Sequence, residues 1–148
     1  MKITQVLLVS LCSAMLSFNA VFAQATYKSQ FPMKVDTSGT LKDASGTTFA
    51  TISKDQIIKN HAGEKIAFID SRGNLIGDDG KMLGKAAKNG DFHNAKGEVE
   101  YVVKPAKNGT GYDVYDTMGK HVLTVPANYK AQAGSMAYMY KKMQLDKK

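Results

Sequence analysis

Few residues in this 148-residue chain have types and spacings that suggest chemistry. His61, His93 and His121 are its three imidazoles. A zinc or general-base site needs such rings brought to one face, as H-x-x-x-H does on a helix. No such spacing occurs, so the three read as surface histidines. Asp78-Asp79-Gly80 offers carboxylates to a cation but lacks the alternating D-x-D-x-D-G loop with its distant glutamate, and reads as a turn. The single cysteine, Cys12, lies in an N-terminal apolar stretch. There is no G-x-S-x-G elbow, and Gly109-Thr110-Gly111 is too short for a phosphate loop. The sequence therefore reads as a non-enzyme, with no catalytic residue, metal or cofactor expected.

What remains is a concentration of tyrosine and lysine: Tyr101, Lys104, Lys107, Tyr112 and Tyr115, around the segment Pro105–Gly111. Tyrosine rings can stack on a sugar, and lysines can meet an anion. These five residues form the candidate binding loop, with a glycan or an envelope protein as the partner expected. The competing reading is an ordinary long hairpin loop with its tyrosines in the core.

Glycines mark the elements that must position this loop. Gly46, Gly63, Gly80 and Gly97 follow at steps of 17, and Gly119 comes 22 later, so five residues have been inserted. Counting from each glycine, position 7 is apolar (Val35, Ile52, Ile69, Ala86, Val103, Val125) and so is position 13 (Leu41, Ile58, Leu75, Phe92 and, counted back from Gly119 across the insertion, Val114). Position 15 is Asp43, Asn60, Asn94 or Asp116, with Gly77 departing; position 11 is Gly39, Gly73 or Gly90, with Gln56 departing. Position 5 is small in Ala50, Ala67 and Gly84, but not in Tyr101. Short apolar runs between glycine and Asx signals predict two strands per repeat, joined by tight turns. The first strands fall at 48–53, 65–70, 82–87 and 99–104, the second at 57–59, 74–76, 91–93 and 113–115. One hairpin cannot bury its apolar side alone, whereas several around an axis can. After Gly119 only a first strand follows, His121–Val125, which closes a ring if it pairs back near Phe31–Val35 and so removes exposed edges. Gly46, Gly63, Gly80, Gly97 and Gly119 are then structural turn residues. The fold expected is all-β: about five two-stranded hairpins of period 17 around an axis, with a short C-terminal helix.

The stretch Gly80-Lys81-Met82-Leu83-Gly84-Lys85-Ala86-Ala87-Lys88-Asn89-Gly90-Asp91-Phe92-His93-Asn94 resembles the repeat of small exported bacterial proteins described as five-fold β-flowers. The resemblance covers about residues 31–140 and extends to the alanine- and aromatic-rich Ser135–Tyr140. It implies the ring fold and export, with no established activity.

The ends read differently from the repeat. Lys2, the apolar stretch from Val6 to Phe18 and Val21-Phe22-Ala23 have the order of a secretory signal peptide, so residues 1–23 are expected to be removed. That would leave no transmembrane span, no cysteine for a disulfide, and 19 Lys and Arg against 13 Asp and Glu, an excess of six. The positive excess is spread along the chain, which suits solubility better than nucleic-acid binding. Residues 24–30 read as a loose segment and 31–126 as the repeat domain. Tyr129, Ala133, Met136, Tyr140 and Met143 form a helical stripe over 127–143, expected to pack across one mouth of the ring. Residues 144–148 read as a disordered tail. The function expected is a ligand- or partner-binding module, periplasmic or extracellular. The alternative is a self-associating scaffold using the Met/Tyr-rich tail.

Overall fold

The structure, a computed structural model, describes residues 32–147. The expected signal peptide (1–23) and loose segment (24–30) lie outside the described residues. Eleven strands follow in order: β1 (Met33–Val35), β2 (Thr40–Lys42), β3 (Thr48–Ile52), β4 (Ile57–Asn60), β5 (Lys65–Ile69), β6 (Asn74–Gly77), β7 (Met82–Ala86), β8 (Phe92–Asn94), β9 (Val99–Pro105), β10 (Tyr112–Asp116) and β11 (His121–Val125). They form a closed barrel in which chain neighbours pair antiparallel. A parallel pair closes it, with Met33 opposite Leu123 and Lys34 opposite Thr124. A 3-10 segment (Ala127–Gln132) and a helix, α1 (Ala133–Leu145), complete the described chain. The described residues are thus all-β with one short C-terminal helix.

The pairing explains the apolar pattern. Leu41, Ile58, Leu75, Phe92 and Val114 are fully buried. On one side each pairs with Val35, Ile52, Ile69, Ala86 or Val103. On the other side each pairs with Ala50, Ala67, Gly84, Tyr101 or Leu123. Large beside small is how side chains fit the inside of a tightly curved barrel. A methyl at Gly84 would collide with the Phe92 ring, so the large residue takes the space that the small one leaves.

Just beyond each of those second pairs the ladder slips by one residue. Leu41 pairs with Ala50 but Lys42 with Thr48, which leaves Phe49 unmatched. The same slip leaves Ile66, Leu83, Glu100 and Val122 unmatched. A bulge of this kind bends the strand and re-aims the extra side chain. Phe49, Ile66, Leu83 and Val122 accordingly pack against the core.

The C-terminal segment differs from expectation in three ways. Residues 127–132 form a 3-10 segment, and the α-helix begins only at Ala133. It also runs to Leu145, past the expected end at 143, so the expected disordered tail begins as helix. The Lys142–Asp146 ion pair (3.1 Å) and the Asp146 N–H donating to the Lys142 carbonyl hold this last turn. Finally, Ala133, Gly134, Ser135, Met136 and Ala137 are all buried. Successive helical residues turn by about 100°, so five in a row cover the whole circumference. A helix lying across a mouth would keep a wet face; this one enters the ring. Met136, Met139 and Tyr140 are among the buried residues of the core. Gly134, a residue type unfavourable inside a helix, is where the helix meets the wall: a methyl there would lie 3.0 Å from the Phe92 nitrogen and closer still to the Gly90 carbonyl.

Candidate functional site

Where α1 leaves the barrel it does not fill it. A cavity of about 650 Å³ lies between the helix and the wall formed by β9, β10, β11 and β1. Met33, Tyr101 and Leu123 form its floor, all of them buried. Ala137, Tyr140 and Lys141 form the helix side. Val99, Met118 and Leu145 stand at the opening and are exposed, Met118 to 93%.

Carboxylates are set into this apolar surround. Glu100 occupies the bulge of β9, in the place that Phe49, Ile66, Leu83 and Val122 hold at the other slips. Its Oε1 accepts a hydrogen bond from Asn94 Nδ2 (3.2 Å). Its Oε2 is buried and accepts none among the described residues; Lys141 Nζ stands 3.6 Å away, too far for a strong bond. Asp116 faces Tyr101 across the β9–β10 ladder, and Glu98 adds a third carboxylate to the lining. Burial pushes the Tyr101 phenol up, and the neighbouring Glu100 and Asp116 carboxylates push it further. The ring therefore stays neutral, and the polar edge of the cavity sets Glu98, Glu100 and Asp116 beside Lys120 and Lys141.

The structure divides the expected binding loop. Tyr101 is 6% exposed and lines the cavity. Because β9 and β10 run antiparallel, Tyr101 and Asp116 mark one end of the pair and Pro105 and Tyr112 the other. Lys104, Lys107 and Tyr112 lie toward that other end, away from the cavity. A cation stands over each of the two remaining tyrosines: Lys130 Nζ is 4.7 Å from the Tyr112 ring centre and Lys104 Nζ 5.6 Å from that of Tyr115. Tyr115 also lies beside His121, at 5.3 Å between rings.

The histidines part company too. His61 is exposed and His93 half-buried. His121 is no simple surface histidine: its Nε2 lies 3.2 Å from Asp113 Oδ1 and 2.9 Å from Thr124 Oγ1, and Thr124 donates to the same Asp113 oxygen. The turn glycines Gly46, Gly63, Gly80, Gly97 and Gly119 all take left-handed φ values.

Sequence reasoning missed Glu100, Asp116 and Lys141. The period held a signal for the first. Position 4 reads Phe49, Ile66, Leu83, Glu100 and Val122, so one carboxylate interrupts an apolar column. Lys141 and the helix side of the cavity left no such mark, because only the docking of α1 brings them there. Comparison with family models, with curated proteins and with solved structures finds no match for this chain.

Proposed function

We propose that this chain is an exported, non-enzymatic binding module, and that its ligand is a small molecule held in the cavity beside α1. The cavity carries this reading. Its volume of about 650 Å³ is in the range of small-molecule sites, and its floor is apolar with a few polar groups at one edge. Export is read from residues 1–23, which have the order of a signal peptide. The five-hairpin plan resembling the β-flower proteins is part of the same proposal. Its support is the recurrence of one bulge after each of Leu41, Ile58, Leu75, Phe92 and Val114, in step with the glycine period.

The test is saturable binding of the neutral fluorescent probe N-phenyl-1-naphthylamine. The wild-type chain should bind it at one site. Ala137→Phe, which places a ring in the cavity from the helix side, should weaken that binding about tenfold or more while the circular dichroism spectrum stays unchanged. Equal binding by the variant, or no saturable binding by the wild type, would overturn the reading.

A further inference from the structure

Five strand pairs carry a bulge, and four of the five bulged residues are apolar side chains packed on the core. Glu100 is the fifth. An apolar residue there would satisfy the fold as it does at Phe49, Ile66, Leu83 and Val122, so the carboxylate is not needed for the barrel. It costs something as well. Oε2 is buried without a hydrogen bond, and a buried acceptor left unpaired is unfavourable. Lys141 does not close the account: its ammonium stands at 3.6 Å, and its side chain is 55% exposed. Glu100 lines the cavity beside the largely exposed Lys141 side chain, so a donor entering there reaches Oε2 once Lys141 swings aside.

The rest of the lining says what kind of donor. Glu98 and Asp116 add negative charge on the same wall, while Met33, Leu123 and the Tyr101 ring offer only apolar contact below. Lys120 and Lys141 line the cavity too, but the three carboxylates outnumber them, so a carboxylate or phosphate headgroup would meet a net negative edge. An ammonium would meet Glu100 Oε2 in a charge-assisted hydrogen bond, and its apolar body would fill the floor. We propose that the cavity takes a small apolar amine whose ammonium is bound by Glu100, which rests on reading the cavity as a ligand site.

Matched eight-carbon probes test it: n-octylamine, n-octanol and octanoate, titrated into the full chain by calorimetry at neutral pH. Octylamine should bind about tenfold more tightly than octanol, and octanoate more weakly than either. The whole chain carries a formal charge of +7, so non-specific attraction would favour octanoate and gives the opposite order. Glu100→Gln should abolish the advantage of octylamine over octanol, with an unchanged circular dichroism spectrum showing that the variant is folded. Glu100→Leu, the residue type of the other bulges, should do the same. If octylamine binds no better than octanol, or octanoate binds best, the amine proposal is overturned and the cavity remains a site for apolar ligands. If octylamine keeps its advantage in both variants, Glu100 is not the group that binds it, and the proposal fails. If none of the three binds, the reading of the cavity as a ligand site falls as well.

Discussion

At the residue scale the fold rests on Asx turns. Asp43, Asn60, Asn94 and Asp116 each place Oδ1 within 3.0 Å of the N–H groups two and four residues on. Asp36 makes the same turn, adds the Ser38 hydroxyl, and pairs with Lys42 at 3.3 Å. The Ser38 hydroxyl and the Thr40 and Ser38 amides hold the Asp36 carboxyl down to about 2, from an ordinary 3.8. A depressed carboxyl contributes stability that is present above the unfolded pKa and is lost as pH falls through the folded one. Stability should therefore decline as pH drops from about 3.8 to about 2, and Asp36→Asn should flatten part of that decline. Because Asn60 and Asn94 cap equivalent turns, the variant should stay folded at pH 7; urea unfolding at pH 7, 4 and 2.5 would check both. The turn glycines divide by what surrounds them. Gly80 has a φ of 79° and open space around it, whereas Gly73, at 84°, would place a methyl 2.9 Å from the Ala86 carbonyl oxygen. Gly80→Ala should cost about 1 kcal/mol, the left-handed penalty alone. Gly73→Ala should cost on the order of 1–2 kcal/mol more, since a backbone carbonyl must move. Equal urea midpoints would mean that the Gly73 turn relaxes freely.

At the scale of elements, the hairpins were legible and the helix only partly so. The strands expected at 48–53, 65–70 and 82–87 form at Thr48–Ile52, Lys65–Ile69 and Met82–Ala86. Two-residue alternation and turn chemistry are local, so short stretches of sequence carry them. Gln56, which departs from glycine at its turn, takes the left-handed conformation nonetheless (φ 65°), and the Gln132 amide donates to its side chain. That compensation comes from a residue 76 positions away and could not be read locally. Of the expected stripe, Ala133, Met136, Tyr140 and Met143 fall on the helix, while Tyr129 lies in the 3-10 segment with non-helical backbone angles. That the opposite face is also buried was not legible, because burial on every side depends on the diameter of a closed ring. The same enclosure leaves Ser135 Oγ buried with no hydrogen-bond partner among the described residues. Removing an unsatisfied buried hydroxyl relieves its desolvation penalty. Ser135→Ala should thus stabilise by about 1 kcal/mol, with a higher melting temperature; a loss of stability would mean that the hydroxyl is paired in solution.

For the whole molecule, ring size and helix are one problem. About eight strands give a barrel that side chains alone can fill, and wider barrels need something inside them. This ring has eleven, and three of its inward positions are Ala50, Ala67 and Gly84, which fill little. The first turns of α1 supply the missing volume: Met136 is fully buried, Tyr138 stacks on Phe92 at 4.8 Å, and Tyr140 meets Phe49 edge-on at 5.4 Å. These contacts reach strands far apart in the ring, so the helix ties together hairpins that do not pair with each other. The cavity is what the helix leaves unfilled on the β9–β11 and β1 side, and site and core therefore depend on the same element. Ending the chain after Gln132 should remove both. The shortened protein is expected to lose its cooperative thermal transition and to bind apolar dyes non-saturably, while keeping some strand signal in far-ultraviolet circular dichroism. A sharp transition close to that of the full chain would show instead that the eleven strands collapse onto their own side chains, and that the helix is an addition rather than the filling.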